Sequence, residues 1–201
     1  MLKRLFVLAA ALVVAAALAA TFAADALAAL VHVRVEGRNA TIFGATEPRA
    51  SGANALEVLE SASLAGEFYY HVATTSFGPY VDQIGRYAAT GSTGWVFKVN
   101  GASPPVGADK VELKDGDVVL WYWATFGPTG GPPTLRLARV ARGCYRATAQ
   151  DDAGKIVSAE GVFLQVDGRV VKTRAGSACP GPHRGLVRAV KFGDVRSNSL
   201  P

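Results

Sequence analysis

Cysteine, methionine and histidine are scarce in this chain, at two, one and three residues among 201. The scarcity excludes whole classes of chemistry. His32, His71 and His183 stand far apart, and none belongs to a metal-binding or nucleophile-activating motif. H-E-x-x-H, G-x-S-x-G and the phosphate-binding loop are all missing, so no metalloprotease, serine hydrolase or nucleotidase signature is present. Asp115 and Asp117 bracket Gly116, a pattern that belongs to turn chemistry before it belongs to general acid–base work. The sequence therefore reads as non-enzymatic, with no catalytic residues, no metal site and no resident cofactor.

Long apolar runs are missing too, except at the start. Lys3 and Arg4 precede an uninterrupted apolar stretch from Leu5 to Ala20, and Ala26-Leu27-Ala28 supplies small residues for a processing enzyme. This succession predicts a signal peptide over residues 1–28, cut after Ala28 or Ala29. An uncleaved anchor is the competing reading; it needs about 20 apolar residues, and Thr21 and Asp25 count against it. The expected protein is secreted or extracytoplasmic, has no membrane span after cleavage, and has no nucleic-acid partner. Two cysteines in an exported chain are most simply one disulfide, Cys144–Cys179.

Charge is unevenly spread. Residues 30–133 carry 7 Lys and Arg against 10 Asp and Glu, and residues 134–201 carry 12 against 5, giving −3 and +7. Between them lies Gly127-Pro128-Thr129-Gly130-Gly131-Pro132-Pro133, which reads as a linker over 127–133. Val31, Val33 and Val35 alternate with His32, Arg34 and Glu36 as in a half-buried strand. Asn54 followed by Glu57 marks a helix start, with Ala55, Leu56, Leu59 and Ala62 as its buried stripe. Gly94 to Val99 alternates and ends at Asn100-Gly101, a hairpin turn. Val118 to Trp123 is apolar on both faces and reads as a central strand. After residue 134 there are only short strand-like runs with Gly-containing turns. The expected fold class is an α+β β-grasp domain, with one helix on a mixed sheet, over 30–126. A small all-β sandwich-like domain with the disulfide is expected over 134–201.

Three segments carry a family resemblance: Thr74-Thr75-Ser76-Phe77-Gly78-Pro79-Tyr80-Val81, Gly94-Trp95-Val96-Phe97-Lys98-Val99-Asn100-Gly101, and Leu113-Lys114-Asp115-Gly116-Asp117-Val118-Val119-Leu120-Trp121. In order and spacing, residues 31–126 resemble the transcobalamin-like C-terminal domain, a β-grasp module of animal cobalamin carriers and of many exported bacterial proteins. Residues 188–198 resemble closing strands of the immunoglobulin-like modules that follow it in bacteria. The resemblance implies a ligand site at Thr75, Phe77, Gly78, Tyr80, Trp95, Lys98 and Asn100, with cobalamin or another corrinoid as the possible ligand. Two departures stand out. The carriers have Trp where this chain has Phe77, and the helical barrel that faces the domain in the carriers has no counterpart among these residues.

Trp95, Phe97, Trp121 and Trp123 allow two readings, a stacking platform or filling between sheet and helix. The basic residues Arg136, Arg139, Arg142, Arg184, Arg188 and Lys191 suit an anionic surface, or simply a solvated one. The expected function is thus an exported ligand-binding module acting with a membrane or cell-surface partner protein. The alternative is a structural or adhesive surface module with no small ligand.

Overall fold

The computed structural model describes residues 28–128 and 130–201. The expected signal peptide lies outside the described residues apart from Ala28. The first strands are β1 (Ala29–Glu36), β2 (Thr41–Phe43) and β3 (Arg49–Gly52). They are followed by helix α1 (Ala55–Gly66), β4 (Tyr70–Thr75), β5 (Gly78–Ile84), β6 (Tyr87–Ala88), β7 (Thr93–Val99) and β8 (Val118–Thr125). The later strands are β9 (Thr134–Ala141), β10 (Cys144–Gln150), β11 (Ile156–Val157) and β12 (Phe163–Val166). The last four are β13 (Arg169–Lys172), β14 (Ser177–Ala178), β15 (Val187–Val190) and β16 (Ser199–Leu200).

Helix α1 starts where its sequence dictates. The Asn54 side chain accepts from the Glu57 amide at 3.0 Å, and the Glu57 carboxylate accepts from the Ala53 amide at 2.8 Å, so donors orphaned at the helix start find partners. It ends on Glu67 in the left-handed region, whose N–H reaches the Ser63 carbonyl. Its buried residues are Ala55, Val58, Leu59 and Ala62, with Val58 in the place expected of Leu56.

The central sheet runs β2-β1-β8-β7, with β3 also on β1; β1 and β8 are parallel and the other pairs antiparallel. Val31, Val33, Val35, Val119, Trp121 and Trp95 face the helix side. On the opposite face Leu120, Tyr122 and Ala124 pack with Val195, so residues from the far end of the chain cover the side the helix cannot reach. Strands β4, β5 and β6 form a separate antiparallel sheet. Past residue 133, one four-stranded sheet holds β9, β10, β11 and β14 and another holds β12, β13, β15 and β16. They share a core of Leu135, Leu137, Tyr145, Ala147, Leu164 and Val187, among others. The Cys144–Cys179 disulfide forms, at the start of β10 and just past β14.

This overturns the expected fold class, the α+β β-grasp domain followed by a small sandwich-like domain. The described residues are mostly β: sixteen strands in four small sheets, with a single helix. Twelve helical residues with an Ala-rich stripe cover one sheet face only, and Val195, from the segment between β15 and β16, packs on the other. The β4–β5 hairpin does not join the mixed sheet; its register shifts between His71 and Val72, and such bulges bend a strand away from its neighbours. After residue 150 the strands are only two to four residues long, broken by positive-φ glycines such as Gly168 and Gly176.

The opposite charges noted in the sequence meet inside the molecule. Glu36 is 1% exposed. Its Oε1 accepts from Arg34 at 3.1 Å, Arg188 at 2.6 Å and the Thr41 hydroxyl at 3.0 Å, and its Oε2 accepts from Arg196 Nε at 3.0 Å. Burial pulls the Arg188 guanidinium below its ordinary value, and the Glu36 charge opposes that pull. Glu47, also buried, accepts from Arg136 at 2.9 Å and lies 3.4 Å from Arg34 Nε. Three of the twelve basic residues past Pro133 are therefore spent on acids from before it. Asn198 adds a neutral tie: its side chain accepts from the Leu137 amide at 2.9 Å and donates to the Leu137 carbonyl at 3.1 Å, as a strand neighbour would.

Candidate ligand-binding cavity

Strand β7 is the edge of the central sheet, and β5 runs beside it without joining the ladder. A cavity of about 360 Å³ opens where they part. Pro79, Tyr80 and Val81 of β5 form one wall, and Trp95, Val96 and Phe97 of β7 the other. Ser103, Pro104, Gly107 and Ala108 contribute from the loop after β7, Trp121 and Tyr122 from β8, and Phe126 and Asp152 from further along. Gly94 lets the Tyr80 hydroxyl lie against the β7 backbone; a Cβ there would displace it.

The aromatic residues divide into two kinds. Trp95, Trp121 and Tyr122 are each 2% exposed or less, and both indole N–H groups are used internally. Trp95 donates to the Tyr87 carbonyl at 2.8 Å and Trp121 to the Ala55 carbonyl at 3.2 Å. Trp95 also meets Trp123 edge to face at 5.7 Å. These rings form the floor as part of the core. The surface open to a ligand comes mainly from Tyr80 and Phe126, each about 40% exposed, with part of Phe97. Burial pushes the Tyr80 phenol up, opposed by a backbone hydrogen bond from Trp95.

The polar end is made by Asp152, Tyr122 and Ser103. Asp152 accepts from the Gly131 amide at 3.0 Å and from the Tyr122 hydroxyl at 3.4 Å. Burial pushes the Tyr122 phenol well up, and the Asp152 charge adds to this. The cavity is thus an aromatic slot with one carboxylate at its end, suited to the edge of a flat, mostly apolar group carrying a hydrogen-bond donor.

The seven residues expected at a ligand site fall in three places. Tyr80 and Trp95 line the cavity. Thr75, Phe77 and Gly78 make the tip of the β4–β5 hairpin; the Thr75 hydroxyl donates to the Gly78 carbonyl at 2.7 Å and accepts from the Phe77 amide at 3.2 Å, while the Phe77 ring is 98% exposed. Lys98 and Asn100 are elsewhere. Lys98 is fully buried, donating to Asp151 O at 2.6 Å, Thr134 Oγ1 at 3.2 Å and Gln150 O at 3.3 Å. Asn100, with positive φ, ties the end of β7 to the start of β8 by accepting from the Val118 amide at 2.9 Å and donating to Asp117 at 2.8 Å. It lines a different, polar cavity of about 230 Å³ with Arg34, Glu47 and Arg136. Sequence reasoning missed Asp152 and Phe126, which read as turn and linker-edge residues. Among the described residues no group of three His, Cys, Asp or Glu is placed to hold a metal ion.

Residues 52–125 match a family described as a domain of unknown function, DUF4430. That stretch holds α1, the β4–β5 hairpin and both cavity-lining strands of the central sheet. Among solved structures, the crystal structure of haptocorrin in complex with Cbi is similar at 22% identity and a TM-score of 0.44. The similarity covers 51% of this chain and 26% of that one, so this chain spans about a quarter of the haptocorrin chain's length. No curated protein matches. No helix among the described residues is long and apolar enough to cross a membrane.

Proposed function

We propose that this chain is an exported, non-enzymatic binding module that grips one edge of a flat small molecule at the β5–β7 cavity. In this reading residues 30–126 are the binding domain and 134–201 a second domain, joined by 127–133. The observation that carries the proposal is the cavity itself: an apolar slot at a sheet edge, rimmed by Tyr80 and Phe126, with the exposed Phe77 on the hairpin whose strand forms one wall. The three sequence segments that resemble the transcobalamin-like domain make a corrinoid the first ligand to test. A volume of about 360 Å³ sits at the small end of the ~300–1,000 Å³ typical of ligand pockets. Such a slot accepts part of a ring-shaped ligand and leaves the rest to water or to a partner protein. Micromolar or weaker affinity is therefore expected from this chain alone.

Titration of the processed protein with cobinamide, followed by calorimetry, tests the reading. Phe77→Ala and Tyr80→Ala should each weaken binding about five- to tenfold, the worth of one aromatic contact. Phe77→Ala should leave the melting temperature unchanged, since its ring touches water on nearly every side. Wild-type affinity in both variants would remove the site from this cavity.

Export rests on the charged, apolar and small-residue succession at the start, together with a disulfide and a first strand that begins at Ala29. N-terminal sequencing of the secreted protein should begin at Ala29 or Leu30; an intact Met1 species in the membrane fraction would refute processing.

A second reading, a surface module with no small ligand, draws on Trp95 and Trp121, whose indole N–H groups are both spent inside the core. A thermal-shift screen that stays flat across corrinoids and glycans would favour it.

A further inference from the structure

A third cleft, of about 440 Å³, lies far along the chain beside the disulfide, lined by Arg139, Arg142, Gly143, Tyr145, Gly181, Pro182, His183 and Pro201. Its lining brings two permanent positive charges and an imidazole together, beside the main-chain carboxylate of the last residue, Pro201. Arg136, Arg188 and Arg196 are neutralised by Glu47 and Glu36, and Lys191 by Asp194; Arg139 and Arg142, like Arg146, Arg169 and Lys172 on the same sheets, have no acidic side-chain partner among the described residues.

The floor of the cleft is held rigidly. Cys144 and Cys179 link its two walls, and next to them Gly143 approaches the Gly181 backbone so closely that a Cβ would lie 3.2 Å from the Gly181 carbonyl oxygen. Gly143 also has a φ of 68°, so the turn needs glycine on both counts. The Tyr145 side chain is fully buried, but its hydroxyl reaches the cleft, 2.7 Å from His183 Nε2 and donating at 3.0 Å to a main-chain carboxylate oxygen of Pro201. Arg139 lies over the Tyr145 ring at 5.6 Å and donates to its hydroxyl at 3.3 Å, which fixes where the guanidinium points. His183 is oriented in turn by a 2.8 Å contact from Nδ1 to the Gly185 carbonyl.

We propose that this cleft binds a phosphate-bearing ligand. Guanidinium groups match phosphate oxygens in pairs, and Arg139, already held over Tyr145, spends little entropy on closing around an anion. The cleft is several times larger than a bare phosphate, so the organic part of a phosphate ester has room against Pro182 and His183. The ester comes either from a soluble molecule or from a lipid head group. The site is independent of the β5–β7 cavity and shares no lining residue with it.

The test is an amide NMR titration of the processed chain with inorganic phosphate and with glycerol phosphate, plus sedimentation with vesicles of phosphatidylglycerol or phosphatidylcholine. Saturable shifts confined to Gly143, Tyr145, Gly181 and His183 are expected, with glycerol phosphate the tighter of the two. Arg142→Ala should weaken binding about tenfold, the loss of one charge-assisted contact, without moving the melting temperature. Arg139→Lys, which keeps charge and loses the paired geometry, should weaken it by a smaller factor. Selective sedimentation with phosphatidylglycerol that Arg142→Ala abolishes, without binding of the soluble esters, would support the site and assign the lipid source. Shifts scattered over the whole basic surface, identical in Arg142→Ala, or no shift and no sedimentation, would overturn the proposal.

Discussion

Glu36→Gln should be the most damaging conservative substitution in the chain, lowering stability by about 3–5 kcal/mol, the usual result of breaking a buried ion pair from one side. The substituted side chain is isosteric, so packing is kept and only the charge is lost. That charge sits among Arg34, Arg188 and Arg196, with exposures of 3%, 17% and 18% against 1% for Glu36 itself. A neutral amide there leaves three guanidinium groups facing one another, and its N–H₂ adds a donor where every neighbour is already a donor. In a chain of this size such a loss shifts the melting temperature by about 10 °C. The contacts tie β1 to residues 152 and 160 positions later, so the damage should also appear as independent loosening of residues 134–201, seen as faster amide exchange at Leu137 and Ala189. A melting temperature within a degree or two of the wild type would mean that water already shares the cluster.

Lys98→Met is expected to lose about 3 kcal/mol, by leaving buried acceptors without a donor. The ammonium makes its three hydrogen bonds to Thr134, Gln150 and Asp151, with Asp152 3.8 Å away, all on the far side of the seam from β7. Methionine fills the same length of channel and satisfies none of them. The pH dependence separates this loss from a packing defect. Burial lowers the Lys98 value below its ordinary 10.5, with Asp152 and Asp151 opposing the shift. Between the lowered value and 10.5 the unfolded chain binds the proton that the folded one has released, so wild-type stability rises with pH across that window. Lys98→Met has no such group, and the gap between the two proteins should widen on the alkaline side and stay constant below it. Parallel stability curves in urea from neutral pH to pH 10 would remove Lys98 as the cause.

Local chemistry was readable from the sequence because its partners are near neighbours. Asn54 and Glu57 cap α1 three residues apart, and Asn100-Gly101 makes a tight turn at the end of β7 that pairs Val99 with Ala102. The apolar run of β8 is buried on both faces, as it reads. The polar face of β1 was not readable. Alternation assigns Arg34 and Glu36 to water, yet both are at most 2% exposed, because the residues that cover them lie more than 150 positions away. The polar residues Ser197, Asn198 and Ser199 are likewise at most 5% exposed. At the cavity, the family resemblance brought out Tyr80 and Trp95, and aromatic patterning brought out Trp95, Phe97 and Trp121. It could not distinguish a floor ring from a rim ring, nor find Asp152, which arrives from a turn after β10.

The ties between Glu36 and the arginines at 188 and 196 set an order of events. Closing a loop of roughly 150 residues costs several kcal/mol of chain entropy before any contact is rewarded, and such long-range contacts slow folding. At a synthesis rate of about 5–20 residues per second, Arg196 emerges roughly 8–30 seconds after Glu36. For that interval β1 has its hairpin neighbours and no cover over its charged face. The unfinished chain is thus held open by its own topology, and a truncation anywhere before Arg188 keeps it open permanently.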